Sequence, residues 1–254
     1  MKPYETTIVE IVNHLLNAHP ELAPFINSLA QARIDQLVLE RRYFGLNNLD
    51  QKLEHWLNYD DGYFVELGAN NGVDQSNTLY FEKYRNWRGV LVEPTPHNFL
   101  ACKKNRSGKN NIFCNACTSF DYSSKYVDIA YSNLMSTPLG LDSDLTNPMA
   151  HAELGRQFLA PTDENFVFGA LATPLNALLD KAGSPKVIDL LSLDVEGAEL
   201  EVLRGIDHQR YRFKYLCIES RNKDRIETYL SSIGYIFLQQ LSEHDYLFSD
   251  KSLA

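Results

Sequence analysis

The stretch Tyr63–Thr78, YFVELGANNGVDQSNT, decides the fold. An apolar run carries one acid, Glu66, then breaks into glycine and asparagine before the helical spacing of Asn77–Tyr84 begins. Strand, glycine-rich turn, helix is the arrangement that brings bare backbone against a ligand at a helix N-terminus. The dinucleotide fingerprint needs glycine at three positions. Gly68 fills the first, but Asn70 and Val73 stand at the others, which disfavours a nicotinamide cofactor. No Gly-Lys-Ser/Thr follows, so a phosphate-binding loop is absent. What remains is Glu66-x-Gly68-x-Asn70-x-Gly72, with its acid ahead of the glycines. That order suits a phosphate-free ligand bearing a positive amino group, and S-adenosylmethionine (SAM) is one. Glu93 ends the next β-rich run, VLVEP, 25 residues beyond Gly68, where an acid can accept hydrogen bonds from both ribose hydroxyls. A Gly-Asn turn taken alone could equally be a tight connection and nothing more.

Outward from this stretch the chain alternates. Tyr63–Leu67, Gly89–Glu93, Ile112–Cys117, Val187–Asp194 and Tyr215–Glu219 read as strands, and Asn77–Tyr84, His97–Lys104, Gly197–Gly205 and Lys223–Ile233 as helices. The pattern implies an α/β fold with a mostly parallel sheet. Tyr235–Gln240 and Tyr246–Ser249, joined by LSEHD, read as an antiparallel pair closing that sheet. Residues 1–58 read as a helical extension, with apolar stripes through Ile8, Ile11, Val12, Leu15 and Leu16, and through Leu29, Ile34, Leu37 and Val38. It would serve as a cap or a homo-oligomer surface. Residues 59–254 read as the main domain, in which Thr118–Gly169 is an irregular insertion of the length that shapes binding sites.

Composition narrows the partners. With 44% hydrophobic and 22% charged residues, the chain of 254 residues is ordinary for a soluble globular protein. A net charge of -9 argues against a nucleic-acid partner, whose phosphates need a basic face. No stretch reaches membrane-span length, no secretory signal opens the chain, and four cysteines suit a reducing, cytoplasmic setting.

A second constellation, LLSLDVEGAELEVLRGID, runs from Leu190 to Asp207. Asp194 ends an apolar strand on the carboxyl edge, where open α/β sheets bind ligands. Glu199 and Glu201 read as acids opposing the positive end of a helix dipole, and Glu196 sits between the two readings. Together with VELGANNGVDQSNTLYFEK, WRGVLVEPTPHNF and NACTS, the segment LSLDVEGAELEVLRG resembles the FkbM-type SAM-dependent methyltransferases over most of Asp61–Ser249. Many members carry a lysine where this chain has Ser192. The resemblance implies a Rossmann-like class I methyltransferase fold, seven strands with the last antiparallel, and SAM over the carboxyl ends. It places Glu66, Gly68, Asn70 and Gly72 around the methionine part, Glu93 on the ribose, and Asn115, Ala116 and Cys117 beside the adenine. It implies O-methylation of a small-molecule or saccharide acceptor or a secondary metabolite. A non-catalytic module keeping the fold is the alternative.

An alcohol is a weak nucleophile and benefits from a group that takes its proton. Asp194 is the first candidate base, with Glu196, Glu219 and His244 behind it. Asp194 could equally bind the SAM amino group, or join Glu219 on a divalent metal. Cys114 and Cys117, on a strand, read as neither redox pair nor metal site, and Asp142-Ser-Asp144 as a solvated surface. His151 shows no ligand spacing. Tyr122, Tyr126, Tyr131, Phe158 and Phe166 could stack on a sugar ring, though packing is the commoner fate.

Overall fold

The computed structural model describes residues 16, 19–25, 28, 42–160 and 163–253. The helical stripes expected through residues 5–44 lie largely outside them. Residues 43–254 form one compact unit and residues 1–42 another. The expected boundary after residue 58 falls inside the larger unit, because Leu49, Leu53 and Leu57 are fully buried in its core.

That unit is built on a seven-stranded sheet. In chain order its strands are β1 (Tyr63–Leu67), β2 (Arg88–Val92), β3 (Asn111–Phe113), β8 (Val187–Leu193), β9 (Arg212–Glu219), β10 (Tyr235–Gln240) and β11 (Asp245–Asp250). Their spatial order is β10-β11-β9-β8-β1-β2-β3. All neighbours are parallel except β11, which slots antiparallel between β9 and β10. This is the α/β class I arrangement that the sequence implied, and the closing antiparallel pair is where the tail predicted it.

Period-two alternation divides the core between the faces. Val65, Leu67, Val90, Val92, Leu191 and Leu193 pack one way, against α5 (Leu175–Lys181), α6 (Glu199–Leu203) and α7 (Lys223–Ser232). Phe64, Leu91, Leu190 and Cys217 pack the other way, against α1 (Leu49–Glu54), α2 (Leu79–Arg85) and Cys102 of α3 (Pro96–Asn105). Strands covered on both faces read as near-continuous apolar runs, as β1 and β8 do.

Two expectations are corrected. The run Ile112–Cys117 is not one strand: the chain leaves the main sheet after Phe113 and re-enters a different sheet as β4 (Ala116–Thr118). At this break the Asn115 amide donates to Thr173 Oγ1 at 2.9 Å. Nor is the insertion irregular. It supplies α4 (Pro148–Leu154), β5 (Tyr126–Tyr131), β6 (Thr137–Leu139) and the start of β7 (Phe166–Pro174), and these three strands join β4 in a four-stranded sheet ordered β4-β7-β5-β6. Val127 and Ile129 alternate inward onto Ala116 and Ala170 and give this sheet a small core of its own.

Candidate functional site

The tips of β1 and β8 meet at glycine. Gly68 has φ +80°, and a Cβ there would lie 1.9 Å from the Asp194 carbonyl oxygen. Asp194 in turn donates its N–H to Leu67 O at 3.3 Å. Beyond Gly68 the turn continues through Asn70, at φ 44°, whose N–H donates to Glu93 Oε2 at 2.9 Å. Thr95 N–H donates to the other oxygen at 2.8 Å. Glu93 is thus fixed at the tip of β2 by two backbone donors. Burial still raises its pKa above the usual carboxylate range, against the pull of those bonds.

These tips open on a hollow of about 820 Å³, solvent at its mouth included. Gly68, Asn70, Glu93, Asn115, Ala116, Cys117, Asp194 and Glu196 all line it, joined by Ile129, Leu134, Pro138 and Leu141 of the insertion. Among the described residues four acids line it (Asp74, Glu93, Asp194 and Glu196), and no lysine or arginine does.

Glu66 and Gly72, expected around the methionine part of the ligand, are not among the lining residues of this hollow. The Glu66 carboxylate turns the other way and is consumed by the turn it precedes. It accepts from Ser76 Oγ at 2.9 Å, Asn77 N at 3.0 Å, Thr78 Oγ1 at 2.6 Å and Arg106 Nη1 at 3.0 Å. Gly72 is required by the same residue, since a Cβ there would press on the Arg106 side chain and Cys102. Arg106 was missed by sequence reasoning. It sits just past α3, outside every motif, and only folding carries it beneath the glycine turn.

Three acids converge beyond β8 and β9. Asp194, Glu196 and Glu219 each bring an oxygen within 4.8 Å of the others. Burial first, then Glu219 and Glu196, push the Asp194 pKa well above the ordinary carboxylate value. The groups that meet this cluster are the protein's own. Arg221 Nη2 lies 3.5 Å from Glu196 Oε2 and 3.4 Å from Glu219 Oε1, and His151 Nε2 lies 2.6 Å from Glu196 Oε2. Glu219 is outside the hollow's lining. So is His244, on the turn between β10 and β11, whose side chain is half-exposed and nearest to Glu243.

Several residues given bland roles hold the site together. Glu199 is buried and accepts from the N–H groups of Val195 and Gly197, and its pKa rises to about 8 through burial and then Asp144. Ser192 accepts from Asn77 Nδ2 at 3.1 Å. Asp142 pairs with Arg204 and Arg225, and Asp144 accepts from Ser220 Oγ and Arg221 N, both at 2.7 Å. The Asp142–Asp144 triplet is therefore a clasp between insertion and sheet rather than a solvated surface. Among the insertion aromatics Tyr131 is buried, packed by His97 and Phe166, and none of the five lines the hollow. Cys114 and Cys117 are free thiols whose pKa values burial raises.

Residues 66–247 match the family model described as Methyltransferase FkbM domain. A curated relative, Methyltransferase 1 of Beauveria bassiana (strain ARSEF 2860), is 26% identical over 155 residues. The alignment covers 60% of this chain and 61% of that relative, less than two thirds of its length. Among solved structures, the human methyltransferase 10 domain containing protein aligns over 80% of this chain and 82% of its own, at 12% identity and a TM-score of 0.42. A chain from Pyrococcus horikoshii, provisionally named an RNA methyltransferase, aligns over 80% and 82% at 12% identity and a TM-score of 0.40.

Proposed function

The chain belongs to the FkbM methyltransferase family, and on that premise we propose that it transfers a methyl group from SAM to a hydroxyl of a saccharide or related secondary metabolite. The observation that carries the choice of SAM is the acidic lining of the hollow, which among the described residues holds four carboxyl groups and no basic side chain. A pyrophosphate would find no cation there to offset its charge, whereas a sulfonium and an ammonium would favour the ionised form of the acids beside them.

The residues present fit such a ligand. Glu93, with one backbone donor on each oxygen, keeps lone pairs free for ribose hydroxyls. Asn115, Ala116 and Cys117 offer a polar edge and two small, buried side chains for a flat base. Asp194, in reach of the same hollow, would hold the amino group. Bound there, SAM supplies a methyl carbon on a sulfonium, a leaving group that departs as a neutral thioether. The chain's own contribution is to orient the two reactants in line and to keep competing water out, which for well-positioned pairs supplies several kcal/mol of the barrier reduction. Family resemblance supports the hydroxyl acceptor.

Labelled-methyl transfer from SAM to a panel of sugars, nucleotide sugars and oligosaccharides, with an RNA oligonucleotide alongside, tests this reading, together with calorimetry against SAM and NAD. We expect SAM binding, no NAD binding, and label on a sugar hydroxyl. Label on RNA alone, or on no hydroxyl at all, sinks it.

A further inference from the structure

The insertion carries α4 across the turn that follows β8. Asn147 caps the helix by accepting from Ala150 N, Pro148 opens it, and His151 lies one turn in. The preceding loop is fastened to the same turn: Asp144 N–H donates to Gly197 O at 3.0 Å, and a Cβ on Gly197 would strike Ser143 and Leu145. His151 is thereby placed at a boundary. Its Nε2 lies 2.6 Å from Glu196 Oε2, with both side chains nearly nine-tenths buried. Glu196 lines the cofactor hollow, while His151 and Arg221 line a second, outer trough with Asp144, Thr146 and Asn147. Leu145, Ala150 and Leu154 complete that trough, and a lining of polar groups beside apolar ones suits a sugar ring, whose edges carry hydroxyls and whose faces are C–H.

We propose that His151 is the catalytic residue that takes the acceptor's proton, and that the outer trough seats the acceptor; this rests on the hydroxyl-methylation reading above. The arrangement of charge selects the nitrogen. Glu196, with Arg221 3.5 Å from the same oxygen, is a carboxylate that receives the Nε2 hydrogen and leaves the Nδ1 lone pair bare. Nδ1 makes no hydrogen bond among the described residues. As the acceptor oxygen forms its bond to the methyl carbon, the carbon–sulfur pair leaves with sulfur and the hydroxyl proton passes to Nδ1. Glu196 then faces an imidazolium whose charge it offsets, the role an orienting carboxylate plays beside any catalytic histidine. Asp194 is the poorer base in the same place. Crowded by Glu219 and Glu196, it is itself inclined to keep a proton.

Two measurements decide it. In cofactor-free protein, nitrogen-15 histidine spectra should show the His151 ring protonated on Nε2 and bare on Nδ1; the opposite tautomer overturns the assignment. With the acceptor that the labelled panel identifies, His151→Ala should lower kcat by roughly 10²–10⁴-fold. SAM affinity should stay within about twofold, and added imidazole should restore part of the rate. Wild-type kcat in the variant, or a loss that imidazole leaves untouched, overturns the proposal. A wild-type enzyme that binds SAM yet methylates no hydroxyl instead fells the reading beneath it, and this inference with it.

Discussion

Arg106 Nη1 lies 3.0 Å from Glu66 Oε2, and both side chains are closed off from solvent. The same guanidinium reaches Glu82 Oε2 at 2.7 Å, Thr78 Oγ1 at 2.9 Å and Gly72 O at 3.3 Å, so one cation braces β1, α2 and the glycine turn together. Removing one partner of a buried pair strands the other charge, at a cost of about 3–5 kcal/mol. Arg106→Met should lose stability on that scale in urea unfolding and should weaken SAM binding by loosening the turn. A loss below about 1 kcal/mol would show that the acid at position 66 tolerates isolation and that the brace is not what shapes the turn.

Gly68→Ala should cost SAM affinity at least about tenfold, or roughly 1.4 kcal/mol. The added methyl would meet a backbone carbonyl at 1.9 Å, so the tips of β1 and β8 must part. Gly140→Ala separates strain from collision. Gly140 has a similar φ, +72°, but nothing within 4 Å of its missing Cβ, so it should show only the left-handed penalty of about 1–2 kcal/mol and leave binding alone. Equal SAM affinity in Gly68→Ala and wild type contradicts the close approach.

The parts legible from sequence are those written in local order. The strand–turn–helix at Tyr63, the closing antiparallel pair and Glu93 on the β2 tip could all be found from spacing, because each uses neighbours in the chain. The partners of Glu66 were not legible, because adjacency to a glycine loop does not reveal which side of the strand an acid occupies. Its partners Ser76 and Thr78 lie a dozen or fewer residues on, but Arg106 lies 40 away. His151 was passed over for the same reason: its partner, Glu196, is 45 residues downstream. The insertion's second sheet was visible in the alternation of Val127, Ile129 and Tyr131, yet its polar loops masked it.

Glu199 should make stability fall as pH rises from about 6.5 to 8, a window clear of His208, which burial holds down to about 4 and which works in the opposite sense between 4 and 6.5. The folded pKa of Glu199, about 8, exceeds the unfolded value near 4.5, so between them the folded chain binds the proton and the unfolded chain does not. The folded state therefore gains at the acid end of that window and loses the gain as pH climbs. Glu54 works in the opposite sense, held down to about 2 by bonds from Tyr80, Tyr43 and Arg85 that outweigh its burial, but its window closes below pH 4.5. Glu199→Gln keeps an acceptor for the Val195 and Gly197 amides and carries no charge. Thermal melts of the variant should be flatter than wild type across pH 6.5–8; identical slopes there would remove Glu199 as the source.

Asp194 should reveal itself in cofactor affinity rather than in the proton-transfer step. Burial, Glu219 and Glu196 hold its pKa well above the usual carboxylate value, so in the empty site a proton competes for the oxygen that would face the amino group of SAM. Affinity for SAM in the wild type should then rise as pH moves above the ordinary carboxylate range, because ionising Asp194 becomes progressively easier. Asp194→Asn cannot ionise. Its affinity should be about tenfold weaker near neutrality and lack that rise, while the kcat at saturating SAM falls less than in His151→Ala. Calorimetry across pH on both proteins measures the first two quantities, and steady-state kinetics the third. If Asp194→Asn binds SAM as tightly as wild type but loses kcat more severely than His151→Ala, the proton goes to Asp194 and the roles argued for the two residues exchange.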